Sequence, residues 1–107
     1  MATADRKEIL ELLKSLKIKY QEDGFLILGL FGSFARGDSD EGSDIDIVYK
    51  LEKRKFFSKF RGFAAVSRIA EIARELQYLL GKKVDLCSVD SGNKNLRARI
   101  AREMIDA

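Results

Sequence analysis

The chain has 107 residues, a formal net charge of +3 at pH 7, one cysteine and no histidine. The lack of histidine excludes Cys/His zinc sites, a histidine general base and a Ser-His-Asp triad, which leaves carboxylates and metals as the available catalytic chemistry. Cys87 is the single cysteine, the N-terminus is charged, and no apolar run is long enough to span a bilayer. We therefore expect a cytoplasmic protein with one domain over residues 1–107, no disulfide and no membrane partner.

Charge is distributed unevenly along the chain. Residues 38–46 carry five acids and no base, whereas residues 50–61 carry six bases and one acid. A basic run of this kind is usually a solvated face, although it can also guide a phosphate-bearing substrate or dock an acidic partner. Because no nucleic-acid-reading module accompanies the charge, we do not expect direct nucleic-acid binding.

The first predicted elements are a helix and a buried strand. A helix over 5–17, capped by Thr3, is predicted from apolar residues at helical spacing: Ile9, Leu12, Leu13 and Leu16. Asp23-Gly24 then predicts a turn. The continuous apolar run 25–31 predicts a strand buried on both faces, and Gly29 and Gly32 leave room near its end for backbone to approach a ligand.

The next stretch carries the strongest chemical signal. Residues 32–37, with the sequence GSFARG, predict a glycine turn and a short helix over 33–36 whose free N–H groups attract anions. After an acidic loop, a second strand is predicted over 44–51, and strand alternation places Asp44 and Asp46 on one face. Adjacent carboxylates repel each other, so either they bind a divalent cation beside a phosphate held by the turn, or they are exposed on an edge strand.

The remaining elements are predicted to be a long helix over 58–80 ended by Gly81, a strand over 83–87 and a helix over 93–105. Alternation in the third strand places Val84 and Leu86 on one face and Asp85 and Cys87 on the other, where Cys87 is expected to be a small buried hydrophobe. The long helix is expected to bury one apolar side, formed by Phe63, Val66, Ile69, Ala70, Ala73, Leu76, Leu79 and Leu80. The four phenylalanines at 56, 57, 60 and 63 are either core or an exposed patch at a partner surface. The element order αβαβαβα predicts an α/β (α+β) fold with a small mixed sheet of about three strands flanked by helices.

These motifs together resemble a known superfamily. Gly32-Ser33, then ten residues, then Asp44-x-Asp46 has the spacing of the nucleotidyltransferase signature, and Asp85 would supply a third carboxylate from a neighbouring strand. The chain resembles the polymerase-β-like nucleotidyltransferases. In the detail of residues 32–37 and 43–46 it is most similar to minimal nucleotidyltransferases, or MNT domains, small prokaryotic proteins often encoded beside a HEPN partner. The resemblance covers about residues 25–105.

The resemblance implies Mg²⁺-dependent transfer of AMP from ATP to a hydroxyl group. Two Mg²⁺ ions would be held by Asp44, Asp46 and Asp85, and Asp85 would also help to deprotonate the attacking hydroxyl. The nucleotide would be bound by Gly32, Ser33, Arg36 and Ser43. The plainer alternatives are a solvated Asp85, a Ser33 that only caps its helix, and an Arg36 that pairs with Asp38 or Asp40.

In HEPN–MNT pairs the MNT protein is an antitoxin that adenylylates a tyrosine of its HEPN ribonuclease toxin, and the resemblance implies that role here. One alternative is a noncatalytic antitoxin that neutralises its partner by binding alone. Another is a small-molecule adenylyltransferase, such as an aminoglycoside-modifying enzyme, although those usually carry an added acceptor-binding region.

Overall fold

The computed structural model describes residues 5–40 and 42–107. In that part of the chain the elements are, in order, α1 Arg6–Gln21, β1 Phe25–Phe31, α2 Ser33–Arg36, β2 Ile45–Leu51, α3 Lys53–Lys59, α4 Phe63–Leu80, β3 Val84–Ser88, α5 Lys94–Glu103 and β4 Ile105–Asp106. None of the helices described is both long and apolar enough to cross a membrane.

The strands form one mixed sheet in the order β3-β2-β1-β4. β1 runs antiparallel to β2 and β4, whereas β2 and β3 are parallel and are connected through α3 and α4. The central position of β1 explains its continuous apolar sequence, because both of its faces are covered. The predicted mixed α/β fold is confirmed.

In the described residues the sheet has four strands instead of the expected three or so, because Ile105, the predicted last residue of the final helix, forms β4 with Asp106. The helix ends with Met104 in an extended conformation, and Ile105 then pairs with Leu30. This pairing depends on Gly29, since a Cβ at that position would overlap the carbonyl oxygen of Ile105. A two-residue strand of this kind has no periodicity of its own for a sequence pattern to show.

Both ends of α1 differ from the prediction. Asp5 is the N-cap residue and its carboxylate accepts the Glu8 N–H at 2.9 Å, whereas the predicted cap Thr3 lies outside the described residues. The helix continues to Gln21 instead of stopping near residue 17. Tyr20, which is fully buried, extends the apolar stripe by another turn and packs edge-on against Phe25.

The single long helix predicted over 58–80 is wrong at its start. Residues Lys53–Lys59 form the separate helix α3, and α4 begins after Gly62, which adopts a positive φ of 57°. The buried face of α4 agrees with the predicted one only in its second half, where Leu76 and Leu80 are buried. In the first half Ala65 and Ile72 are buried instead, whereas Phe63 and Val66 are 91% and 67% exposed. Apolar residues surround much of this helix, so its sequence period alone does not show which stripe meets the sheet.

The sheet separates two apolar clusters. The larger cluster lies on the face covered by α1 and α4 and includes Ile45, Ile47 and Val84. The smaller one lies on the opposite face, where Ile100 of α5 packs near Phe31 and Val48. This second face also carries the β2 and β3 aspartates, because Asp46 alternates with Ile45 and Ile47.

Candidate active site

Three residues lie in one row across the sheet. Phe31 at the end of β1 is the Cα partner of Asp46 in β2, and Asp46 is in turn the Cα partner of Asp85 in β3. Residues in register on neighbouring strands point to the same face. The fold therefore places the Asp46 and Asp85 carboxylates side by side, on the face that α5 covers.

Asp44 joins this pair electrostatically. Burial raises the pKa of Asp46 above its usual value, and the negative charges of Asp85 and then Asp44 raise it further. Asp44 and Asp46 are half-buried, while Asp85 is exposed. The three aspartates thus form one group of interacting carboxylates that is open to solvent on the Asp85 side, and we call it the aspartate cluster.

The glycine turn lies directly against this cluster. Gly32 has a φ of 78°, and a Cβ at that position would overlap Oδ2 of Asp46. The first hydrogen bond of α2 runs from the Arg36 N–H to the Gly32 carbonyl at 3.0 Å. The N–H groups of Ser33, Phe34 and Ala35 therefore have no acceptor within the helix, as at the start of any helix.

Arg36 is exposed and forms two ion pairs. Its Nε lies 3.1 Å from Oδ2 of Asp38, which was one of the predicted alternatives, and its Nη1 donates to Oε1 of Glu103 at 2.6 Å. These hydrogen bonds, to Glu103 first and then to Asp38, raise the pKa of Arg36. Its positive charge still reaches the cluster, because it lowers the pKa of Asp46.

Ser43 closes the loop that leads into the cluster. Its hydroxyl donates to Oδ1 of Asp40 at 3.2 Å and accepts the Asp40 N–H at 3.0 Å. Lys82 donates to the Ser43 carbonyl at 3.4 Å from the other side. Ser43 therefore fixes the backbone just before Asp44, and its assignment to nucleotide binding stays a prediction.

Within residues 5–40 and 42–107, no three His, Cys, Asp or Glu side chains are arranged so that they could hold a metal ion by themselves. Mg²⁺ rarely uses such an all-protein cage; it usually binds one or two carboxylates, waters and substrate phosphates. The hard oxygen donors of the aspartate cluster fit that manner of binding, and a cation would relieve the repulsion that raises the pKa of Asp46.

Arg99 and Glu103 on α5 lie beside the cluster and were not among the predicted site residues. The Arg99 guanidinium carbon lies 5.2 Å from the centre of the Phe31 ring, and its Nε lies 3.5 Å from Oε2 of Glu103. Its charge lowers the pKa of Asp46 more than that of Arg36 does. The i,i+4 spacing of Arg99 and Glu103 on a predicted helix is a signal from which this ion pair could have been predicted. Their place beside the cluster follows from how α5 packs, which the spacing does not show.

A family model described as polymerase beta, nucleotidyltransferase matches residues 7–105. The chain belongs to this family. The prediction of a nucleotidyltransferase enzyme is therefore confirmed at the level of the family, whereas the roles of its individual site residues stay predictions.

Two relatives of this nucleotidyltransferase match it over nearly its whole length. Protein adenylyltransferase MntA of Thermococcus cleftensis is 31% identical over 106 residues, which are 98% of both chains. A Methanocaldococcus jannaschii protein whose name proposes the same activity is 36% identical over 101 residues, 92% of this chain and 91% of its own.

Solved structures agree with the fold. A structure provisionally described as a minimal nucleotidyltransferase has a TM-score of 0.74 and 25% identity, and covers all of both chains. A crystal structure of a toxin–antitoxin with AMP-PNP has a TM-score of 0.64 and 23% identity over 96% of this chain and 72% of that one. At that identity the second likeness shows the fold alone, and the predicted nucleotidyltransferase fold is confirmed.

Proposed function

We propose that this nucleotidyltransferase is a Mg²⁺-dependent protein adenylyltransferase, an antitoxin that transfers AMP from ATP to a tyrosine hydroxyl of a HEPN toxin. The observation that carries the proposal is the Asp46–Asp85 pairing across β2 and β3, with Asp44 and the Gly32 turn beside it. The names of the archaeal relatives support protein adenylylation, and the resemblance to MNT domains implies the toxin partner.

The proposed chemistry uses the aspartate cluster of this one-domain cytoplasmic protein. Asp44, Asp46 and Asp85 would hold two Mg²⁺ ions, which when bound stabilise the charge on the reacting phosphate oxygens. The acceptor oxygen bonds to the α-phosphorus, the bond from that phosphorus to the bridging oxygen breaks, and pyrophosphate leaves. Asp85, the exposed member of the cluster, accepts the hydroxyl proton, which its position at the open side allows.

The turn and α2 would bind the triphosphate. The N–H groups at the start of α2 and the Ser33 hydroxyl are suited to phosphate oxygens, and Gly32 lets the backbone approach closely. Arg36 would supply positive charge from the other end of α2, while Ser43 would hold the loop before Asp44 in place. The three nearby carboxylates repel a triphosphate, so these contacts can hold it only when a cation binds together with it.

The test is to incubate the purified chain with ATP, Mg²⁺ and the product of its neighbouring gene, and to measure the intact mass of that product. The expected result is a mass increase of one AMP, mapped to tyrosine by peptide sequencing. Asp44→Asn should abolish the increase, whereas Asp90→Asn, in the exposed turn after β3, should not. An unchanged mass with the native chain would reject protein adenylylation.

Neutralisation by binding alone is the second candidate, and the outer side of α4 favours it. Phe63, Val66 and Tyr78 are 91%, 67% and 87% exposed there, an apolar surface of the kind that protein partners cover. The double variant Asp44→Asn, Asp46→Asn separates the two candidates in a toxin neutralisation assay. Full protection by the variant favours binding alone, and loss of protection favours adenylylation.

A further inference from the structure

Two arginines beside the aspartate cluster share one carboxylate. Glu103 accepts Arg36 Nη1 on Oε1 at 2.6 Å, and its Oε2 lies 3.5 Å from Nε of Arg99. The Glu103 side chain is 19% exposed, whereas the Arg36 and Arg99 side chains are 42% and 51% exposed. The shared carboxylate is therefore the most buried member of the group, and both arginine side chains are partly open to solvent.

The second contact of Arg99 places it at the cluster. Its guanidinium lies over the ring of Phe31, with 5.2 Å between the guanidinium carbon and the ring centre. Phe31 is the Cα partner of Asp46 and directly precedes Gly32. Arg99 thus lies on the same face of the sheet as Asp46, next to the turn, and half of its side-chain surface stays open to solvent.

An ordinary surface ion pair would not account for this placement. An exposed i,i+4 pair with 3.5 Å between its atoms contributes little to stability, so Glu103 alone gives a weak reason for Arg99 to lie here. Three carboxylates and the start of α2 at Gly32 lie close together there. A guanidinium at such a place can bind phosphate oxygens in a bidentate manner, which a lysine cannot reproduce.

We infer that Arg99 binds the polyphosphate of a nucleoside triphosphate, and that Glu103 is a positioning residue which holds Arg99 and Arg36 on one side of the aspartate cluster. This inference rests on the proposed function, because the substrate it concerns is the nucleotide. It adds a basic group from α5 to the proposed contacts, which otherwise come from the turn, α2 and β2.

The test compares triphosphate and monophosphate binding. The complete chain is titrated by calorimetry, in Mg²⁺, with α,β-methylene-ATP and separately with AMP. Arg99→Ala should raise the Kd for the triphosphate analogue about tenfold, the loss expected for a charge-assisted hydrogen bond, and leave AMP binding nearly unchanged. Arg99→Lys should fall between the native chain and Arg99→Ala, because it keeps the charge and loses the fork.

Arg102→Ala is the matched control, because Arg102 is an exposed arginine on the same helix and its loss changes the net charge equally. Glu103→Gln should weaken triphosphate binding less than Arg99→Ala and leave AMP binding unchanged, as expected for a residue that only orients the two arginines. Circular dichroism checks that each variant folds, and Arg99→Lys provides the comparison should Arg99→Ala not fold.

Two outcomes separate this inference from the proposed function. If the native chain binds the triphosphate and Arg99→Ala weakens it no more than Arg102→Ala, the assignment of Arg99 is overturned while the proposed function stands. If the native chain does not bind the triphosphate at all, both are overturned. The assignment of Arg99 would also be overturned if Arg99→Ala weakened the binding of the triphosphate and of AMP equally, because the contact would then not be to the polyphosphate.

Discussion

Gly32 lies so close to Asp46 that a side chain on the glycine would occupy the space of the carboxylate oxygen Oδ2. The backbone at Gly32 also has a φ of 78° and a ψ of −149°, a region that only glycine adopts readily. Conformation and close approach therefore require glycine at the same position. The turn and the aspartate cluster are therefore packed against each other, so a larger side chain at Gly32 would displace the Asp46 carboxylate.

We expect Gly32→Ala to lower both stability and nucleotidyl transfer. The strained φ alone costs about 1–3 kcal/mol, and the new methyl group must also move the Asp46 carboxylate. Thermal unfolding and transfer rate measure the two effects. Gly62→Ala is the control for strain alone, since its φ is 57° and a Cβ there meets nothing within 4 Å. Native-like transfer by Gly32→Ala would contradict the close contact.

We expect Asp46→Asn to stabilise the metal-free chain while it removes activity. The folded state raises the pKa of Asp46 through burial and through the charges of Asp85 and Asp44, so at neutral pH the ionised carboxylate opposes folding. A neutral side chain of the same shape should increase the free energy of unfolding by roughly 0.5–2 kcal/mol, a usual size for such substitutions.

Urea unfolding in EDTA measures the stability of this variant, and the intact mass of the neighbouring gene's product after incubation with ATP and Mg²⁺ measures its activity. We expect transfer to fall about 100-fold or more, because electrostatic stabilisation of the transition state is the largest contribution at such sites. Asp90→Asn, which removes a charge in an exposed turn, should change neither quantity. A destabilised Asp46→Asn would mean that the carboxylates do not repel one another as described.

Local chemistry made much of the fold predictable. The limits of β1 and α2, and the left-handed Gly81 after α4, agree with the sequence prediction, because each depends on neighbouring residues only. The proximity of Asp46 and Asp85 was predictable in part, since alternation gives the face of each strand. Their alignment across the sheet depends on the register of the parallel pair β2 and β3. The motif spacing does not show that register, and only the family resemblance implied it.

The missed features all depend on contacts between distant parts of the chain. β4 needs the space left by Gly29, and Arg99 reaches the cluster only because α5 packs over Phe31. The α4 face was predicted correctly at Leu76 and Leu80 but wrongly at its start. Two apolar stripes share that helix, and packing against the sheet selects the one that contains Ile72. Helical periodicity carries no information on which stripe meets the core.

The corrected orientation of α4 leads to a comparison of two substitutions. Ile72→Ala should reduce the free energy of unfolding by about 2–5 kcal/mol, because Ile72 is fully buried and its loss leaves a cavity. Val66→Ala, at a position that is 67% exposed, should change it by less than about 0.5 kcal/mol. Urea unfolding measures both. A larger loss for Val66→Ala than for Ile72→Ala would support the orientation expected from sequence.

Tyr20 should contribute to stability through its hydroxyl as well as its ring. The ring is fully buried and the hydroxyl donates to Oε1 of Glu75 at 2.7 Å. Tyr20→Phe removes that hydrogen bond but leaves Glu75 paired with Arg68, so we expect a loss of about 0.5–1.5 kcal/mol in denaturant unfolding. Tyr78→Phe, at an 87% exposed position, should cost almost nothing, and equal losses would argue against the Glu75 contact.

Acid should destabilise the chain through Glu75 and Asp23. Burial alone would raise the pKa of Glu75, but hydrogen bonds from Tyr20 and Arg68 lower it below 4.5 overall. The hydrogen bond from Lys59 lowers the pKa of Asp23 below 3.8 despite some burial. A carboxylate with a lowered folded-state pKa stabilises the fold above its unfolded-state pKa, and this contribution is lost as pH falls through the folded value.

The free energy of unfolding, measured in urea at steps from pH 7 to pH 3, should therefore fall below about pH 4.5, where these carboxylates bind protons in the unfolded chain before they do so in the folded one. Glu75→Gln should be less stable than the native chain at pH 7 and should lose less on acidification, because one of the titrating groups is gone. Glu11→Gln, at an exposed position of α1, should keep the native pH dependence. If Glu75→Gln and the native chain lost equal stability between pH 7 and pH 3, Glu75 would not be a group whose protonation destabilises the fold.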